Sequence, residues 1–331
     1  MKRLLGITLM VVILCGILIA SDPGAASPQN LANLARRVGF FGILTLGAGI
    51  LIIAGGIDLS IGSVVGLSAI SFGLLLEQRF DPWLSAGLVL LGASVLGLCH
   101  GLLVTKLRLQ PFIVTLCGLF IYRGLAQLAP VLRFRALLPS HWGEPWLHGS
   151  SRDVGIGGRP DLAGIRFLAA GDWLGVPMMF WLLLGLAFFL GLMLHGSVYG
   201  RYLYALGANE QAARYAGIAT DRYKIVAFVL CSLLAGLGGL MLLLDLETAQ
   251  PSAAGSWYEL YAITGAVLGG CSLRGGQGLV AGILLGTAVL PLLRNLCIFA
   301  GVPSDLEYTV IGLSLLLGTI ADEILKRRGS P

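Results

Sequence analysis

The decapeptide AGGIDLSIGS, Ala54–Ser63, stands between two almost wholly apolar stretches, GAGILII (Gly47–Ile53) and VVGLSAISFGLLL (Val64–Leu76). A charged group at the centre of a bilayer costs roughly 2.5–3.5 kcal/mol on insertion scales. Asp58 therefore either lies outside the hydrocarbon or is kept there for a use. The pair Gly55–Gly56 breaks the preceding helix, and Asp58 or Ser60 then caps the next one, where a carboxylate suits the positive helix end. Gly62 and Gly66 give that second helix a small-xxx-small surface. On this reading Asp58 marks the cytoplasmic end of a span; the competing reading places it beside an inner gate.

The surroundings make spans the only plausible frame. Of 331 residues, 56% are hydrophobic and 12% charged, and the mean hydropathy is +0.88. Soluble domains carry about 25% charged residues. The 48 glycines fit closely packed membrane helices. The fold class is all-α, a polytopic integral membrane protein. The net charge of +5 then reads as an orientation signal and implies no nucleic acid.

Windows of about 20 apolar residues place ten spans, near 4–20, 38–54, 60–76, 83–105, 111–130, 177–195, 225–244, 258–271, 277–297 and 307–323. The first of these also resembles a secretory leader, but it is long for a leader's apolar core and is read as a span. Residues 1–331 then form one transmembrane domain, with an extracytoplasmic loop at about 131–176 and a cytoplasmic loop at about 196–224. Lys106, Arg108, Arg201, Arg214, Arg222, Lys224 and Arg274 fall on the cytoplasmic side with both termini. Arg36 and Arg37 are exceptions to this positive-inside pattern. Spans 2–5 and 7–10 form two four-span groups of opposite orientation, the arrangement of an inverted repeat.

Cys15, Cys99, Cys117, Cys231, Cys271 and Cys297 lie in or beside apolar runs without a CxxC pair, and the four histidines are scattered. Neither a disulfide framework nor a metal site is expected. None of the four lysines stands in a GxxxxGK[ST] setting, so no nucleotide-binding loop is expected in this chain. No Ser/His, paired-Asp or metal constellation falls inside the spans, which argues against an intramembrane enzyme.

Between spans 6 and 7 the chain reads GRYLYALGANEQAARYAGI, Gly200–Ile218. Asn209 is an N-cap for a short helix, Glu210 and Arg214 form an i,i+4 pair, and Gly217 ends the helix. Ala212, Ala213 and Ala216 give it a small-residue surface suited to a groove on another protein. An ordinary connection with a surface helix is the plainer alternative.

At this point the chain resembles the membrane-spanning permease subunit of ABC sugar importers, of the ribose, xylose, galactose and arabinose type. The carrying motifs are GGIDLSIGS, GRYLYALGANEQAARYAGI, AQP with YELYAI (Ala249–Pro251, Tyr258–Ile263) and VLGGCSLRGGQG (Val267–Gly278). They stand in the family's order between about residues 38 and 323. Two departures are an outer loop rich in arginine and tryptophan, and Cys271 where the family has a small residue.

The resemblance implies that Gly200, Arg201, Gly207, Asn209, Glu210, Ala212, Ala213 and Gly217 couple the chain to a separate cytoplasmic ATPase. ATP and Mg²⁺ would be bound there and not by this chain. It also implies an extracytoplasmic solute-binding protein docking on loops 131–176 and 245–257. A second permease subunit, identical or paralogous, would complete the pore in a bacterial inner membrane. A neutral sugar needs hydrogen-bonding groups, and the candidates along its path are Asp58, Ser60, Ser63, Gln110, Thr115, Arg123 and Glu259. Arg123 is either a pore group, or an arginine that snorkels or pairs with a carboxylate. Asp245 and Glu247 are read as solvated. Gly55, Gly56, Gly269, Gly270, Gly275 and Gly276 are tight-turn or hinge glycines. The alternatives are a permease for a branched-chain amino acid, a nucleoside or a furanone signal, or a stand-alone secondary transporter.

Overall fold

A computed structural model describes residues 2–137, 152–303, 305–306, 309–313 and 316. The helices are α1 (Lys2–Ser21), α2 (Pro28–Ile53), α3 (Ile61–Glu77), α4 (Pro82–Thr105), α5 (Pro111–Leu137), α6 (Ala163–Ala170), α7 (Met178–Gly191), α8 (Val198–Ala208), α9 (Glu210–Tyr215), α10 (Thr220–Leu246), α11 (Tyr258–Leu268) and α12 (Val280–Phe299). Four two-residue strands complete the described part: β1 (Val154–Gly155), β2 (Asp172–Trp173), β3 (Val176–Pro177) and β4 (Thr248–Ala249). The all-α polytopic class holds. Among the described residues seven helices, α1, α2, α4, α5, α7, α10 and α12, are long and apolar enough to cross a membrane, α7 by running on to Gly196.

The predicted spans 3 and 8 differ from the others. Each is a stretch of irregular backbone followed by a short helix: residues 54–60 before the 17-residue α3, and residues 250–257 before the 11-residue α11. Part of span 10 lies outside the described residues.

Several elements start or stop at a local device in the sequence. Ser27 accepts the amide of Asn30 at the head of α2, and Asp81 accepts that of Leu84 at the head of α4, with proline at the first helical position in both. Helix α2 ends at Gly55, whose φ of +79° favours glycine.

Helices α2 and α10 form the centre. They run antiparallel, because the C-terminus of α2 and the N-terminus of α10 both lie at the end that carries α8 and α9. Helix α10 packs on α3 and α4, α2 packs on α11 and α12, and the two pack on each other. This reciprocity is what two inverted copies of one four-span unit would produce. Helix α1 is peripheral and rests on α12.

Small residues set the close approaches. A Cβ on Gly239 of α10 would meet the Val65 carbonyl at 2.5 Å, and one on Gly286 of α12 would lie 2.8 Å from the Gly269 Cα. Without a hydrophobic drive between helices in lipid, such backbone contact is a main source of association.

At the end opposite α8–α9, arginines tie the connections down. Strand β1 pairs with β4 through Val154 and Ala249. Arg152 pairs with Glu77 at 2.9 Å, Arg159 with Asp161, and Arg166 with Glu247. Arg36 reaches Asp172 at 3.4 Å and Asp245 at 3.5 Å. Asp245 and Glu247 are thus ion-paired, against the expectation that they are simply solvated. Arg36 serves a contact between the head of α2 and these connections. Gly286→Val is expected to lower stability by about 1–3 kcal/mol through overpacking. Gly92→Val, with nothing within 4 Å of its Cβ, should leave it unchanged in thermal unfolding of the detergent-solubilised chain.

Candidate functional site

Backbone that leaves a helix inside a membrane needs partners from the protein. At the first break, the amides of Gly55 and Gly56 turn back to the carbonyls of Ile52 and Leu51, both at 2.9 Å. The freed carbonyl of Ile53 accepts the amide of Gly276 at 2.9 Å. Asp58 Oδ1 accepts the Ser60 amide at 2.7 Å and the Ser60 hydroxyl at 2.6 Å. The carboxylate, rather than Ser60, therefore supplies the acceptor at the head of α3, and Ser60 makes no side-chain cap there.

Asp58 follows the end of the second span and is covered there by protein. It is 2% exposed and faces His100, which lies six residues, or ~9 Å, from the Lys106 end of α4. The irregular stretch climbs back into the bundle before α3 begins.

The second break mirrors the first. Residues 250–257 descend beside α3 from the β4 end, so loop 245–257 is only partly an outer loop. Gly62 and Gly66 pack on this descending backbone: a Cβ on Gly62 would overlap the Gly255 carbonyl and Glu259 Oε2, and one on Gly66 would meet the Ala254 carbonyl. The small-xxx-small surface predicted for α3 thus receives an irregular chain instead of a helix. Gly255 and Trp257 both take positive φ, +71° and +68°, to turn the chain into α11. The heads of α3 and α11 consequently meet, with a buried acid at each, Asp58 before α3 and Glu259 in the first turn of α11.

Helix α5 braces both breaks. The Thr115 hydroxyl donates to the Ile57 carbonyl at 3.3 Å and, within its own helix, to Pro111 at 3.0 Å. Arg123, eight residues on, donates from Nη1 to the Ala254 carbonyl at 2.6 Å, with Glu259 as the acid beside it. Ser63 of α3 returns a bond to the Leu119 carbonyl at 2.9 Å. The structure brings Asp58, Ser60, Ser63, Thr115, Arg123 and Glu259 into one region; Gln110 is exposed at the start of α5 and stays outside it. Among the described residues Arg123 has no ion pair within 4.0 Å, and its guanidinium donates to a main-chain carbonyl.

Two residues of this region escaped sequence reasoning. His100 is 1% exposed and Tyr122 is 7% exposed, and His100 Nε2 lies 2.9 Å from the Tyr122 hydroxyl. Their only signal is a lone histidine and a tyrosine inside apolar spans, at no spacing that ties them to Asp58. Among the described residues, no group of three or more His, Cys, Asp or Glu is placed to hold a metal ion.

At the α8–α9 end, the Asn209 side chain accepts the Ala212 amide at 3.0 Å and Glu210 pairs with Arg214 at 3.2 Å. Arg214 also reaches Asp221 at 3.2 Å, Lys106 reaches the same acid, and Lys224 holds Glu210. These bonds fix α9 on the ends of α4 and α10. Tyr215 is 90% exposed, whereas Ala213 is 5% exposed. The outward surface is therefore Gln211, Ala212, Tyr215 and Ala216, and Ala213 faces inward, contrary to the predicted small-residue surface.

Gly200 packs on the Leu194 backbone, and Arg201 is exposed on α8. Gly207 has no room for a side chain against the Ile53 carbonyl, and Gly55 and Gly275 both lie against it. Gly270, Gly275, Gly276 and Gly217 take positive φ. Gly269 serves a close approach to Gly282, and Gly56 packs against Leu51.

Comparison with known proteins follows the same architecture. Residues 30–318 match the family described as branched-chain amino acid transport system / permease component, and the chain belongs to that family of membrane-spanning transport components. It is 33% identical over 311 residues to the ribose import permease protein of Escherichia coli (strain K12), covering 94% of this chain and 90% of that one. The ribose import permease protein of Bacillus subtilis (strain 168) is 34% identical over 319 residues, 96% of this chain and 91% of that one. The autoinducer 2 import system permease protein of Photorhabdus laumondii is 32% identical, covering 97% of this chain and 90% of that one. No solved structure matches.

Arg123→Met leaves the Ala254 carbonyl without its charged donor and is expected to cost about 1.5–3 kcal/mol. Gln110→Ala should be silent; equal thermal midpoints for the two variants in detergent would contradict the bracing role of α5.

Proposed function

We propose that this chain is the membrane-spanning subunit of an ATP-driven importer that admits a monosaccharide. The observation that carries the reading is the α8–α9 unit. A short capped helix is held rigidly by ion pairs, presents Tyr215 outward, and seats Gly207 against the broken end of α2. A surface connection needs no such seat, whereas a helix that receives force from a partner does.

On this reading the α8–α9 end faces the bacterial cytoplasm, with both termini on that side. The separate ATPase holds ATP and Mg²⁺, and an extracytoplasmic binding protein delivers solute to the strapped connections at the other end. A second permease subunit closes the path. Asp58, Ser60, Ser63, Thr115, Arg123 and Glu259 act at the breaks, as frame and gate of the path. The sugar is favoured over a branched-chain amino acid by the names of the ribose and arabinose relatives, at 33% and 28% identity in Escherichia coli. The autoinducer relative keeps a furanone signal as the second reading.

Proteoliposomes holding the permease, its ATPase and its binding protein are expected to accumulate labelled ribose or arabinose only with ATP. Accumulation of leucine, or uptake driven by an ion gradient without ATP, would overturn the assignment. Tyr215→Arg is expected to abolish co-purification of the ATPase and uptake while leaving membrane insertion intact. Gly207→Arg is a poorer probe, because it would also break the α2 contact.

A further inference from the structure

One buried cluster holds a carboxylate and an imidazole that face each other without bonding, although the Cys231 thiol and Ser60 stand against the same carboxylate. Asp58 Oδ2 and His100 Nδ1 face each other at 4.0 Å, with side chains at most 2% exposed, and neither has a hydrogen-bond partner among the described residues. The gap is about 1 Å beyond hydrogen-bonding reach. On its other side the imidazole meets the Tyr122 hydroxyl at 2.9 Å. It fits against α5 because residue 118 is glycine; a Cβ there would lie 2.7 Å from His100 Nε2. One neutral tautomer serves both ends, with a proton on Nδ1 towards Asp58 and Nε2 accepting from Tyr122. Cys231 of α10 lies beside the same carboxylate.

An unmet buried polar atom is costly, and here two complementary ones are left just short of each other. The segment that carries Asp58 is attached at both ends to parts with a role in transport. At one end Gly276 binds the Ile53 carbonyl and Gly55 lies against Gly207. At the other, Gly62 lies against Gly255 and Glu259. A slide of about 1 Å between residues 54–60 and α4 would close the gap and displace the meeting point of α3 and α11 in the same motion.

We infer that Asp58, His100 and Tyr122 form a latch with an open and a closed register. His100 and Tyr122 are positioning residues that make the 54–60 segment pass motion from the α8–α9 end to the α3–α11 crossing. The inference rests on the importer reading. It concerns the linkage between ATP hydrolysis and solute movement, so the readout is solute moved per ATP hydrolysed.

In the reconstituted complex, with ribose as probe, His100→Ala is expected to lower that ratio about tenfold, the size of a typical coupling energy, while ATP hydrolysis persists. His100→Asn, whose amide nitrogen takes the place of Nδ1, should restore at least half of it. Tyr122→Phe removes one hydroxyl, leaves the packing intact, and should lower the ratio about threefold. An unchanged ratio in Tyr122→Phe together with equal ratios in the two His100 variants overturns the latch. If His100→Ala fails to assemble, Tyr122→Phe alone decides. A wild-type complex that moves ribose without ATP overturns the importer reading itself; a coupled wild type with equally coupled variants overturns the latch alone.

Discussion

The structure depends on one constraint: backbone that leaves a helix within a membrane must be hydrogen-bonded by protein. The chain leaves the helix at residues 54–60 and at 250–257, and one helix, α5, reaches both breaks beside the local turns and the Gly276 amide that serve the first. Thr115 and Arg123 stand eight residues apart on α5, ~12 Å along the axis, and reach one break each, at Ile57 and Ala254. Asp58, Ser60, Thr115 and Arg123 are accounted for by this need, before any contact with solute is considered.

The breaks in turn explain the glycines. Gly62 and Gly66 admit the descending 254–255 backbone, and Gly55, Gly207, Gly275 and Gly276 admit three chain segments to one point at the α8–α9 end. A line of close main-chain contacts results, from Gly207 through Gly55 to Asp58, and on through Gly62 to Glu259. Packed backbone of this kind has discrete arrangements and does not deform smoothly, which suits a device that must alternate.

Much of this was legible in the sequence. The long spans follow from apolar length alone, because lipid forces every exposed position to be apolar. The break at Gly55–Gly56, the cap at Asn209 and the Glu210–Arg214 pair follow from local chemistry, which requires no knowledge of the rest of the fold. What was not legible depends on distant partners. The burial of Asp58 beside His100 brings two helices together, and the role of Arg36 is set by Asp172 and Asp245, far along the chain. The inward course of 250–257 carries no periodicity that separates it from an outer loop. Ala213 and Ala212 look alike in sequence and differ only in which side of α9 meets α10.

Residues 250–257 form an irregular, inward-directed half of a broken span that rests on α3. Cysteine scanning of that segment in membrane vesicles, read by maleimide labelling, is the decisive measurement. Labelling is expected at Ser252, Ala253 and Trp257 and protection at Pro251, Ala254 and Gly255, following their exposure in the fold. Uniform labelling from 250 to 257 would place the stretch in a surface loop and contradict it.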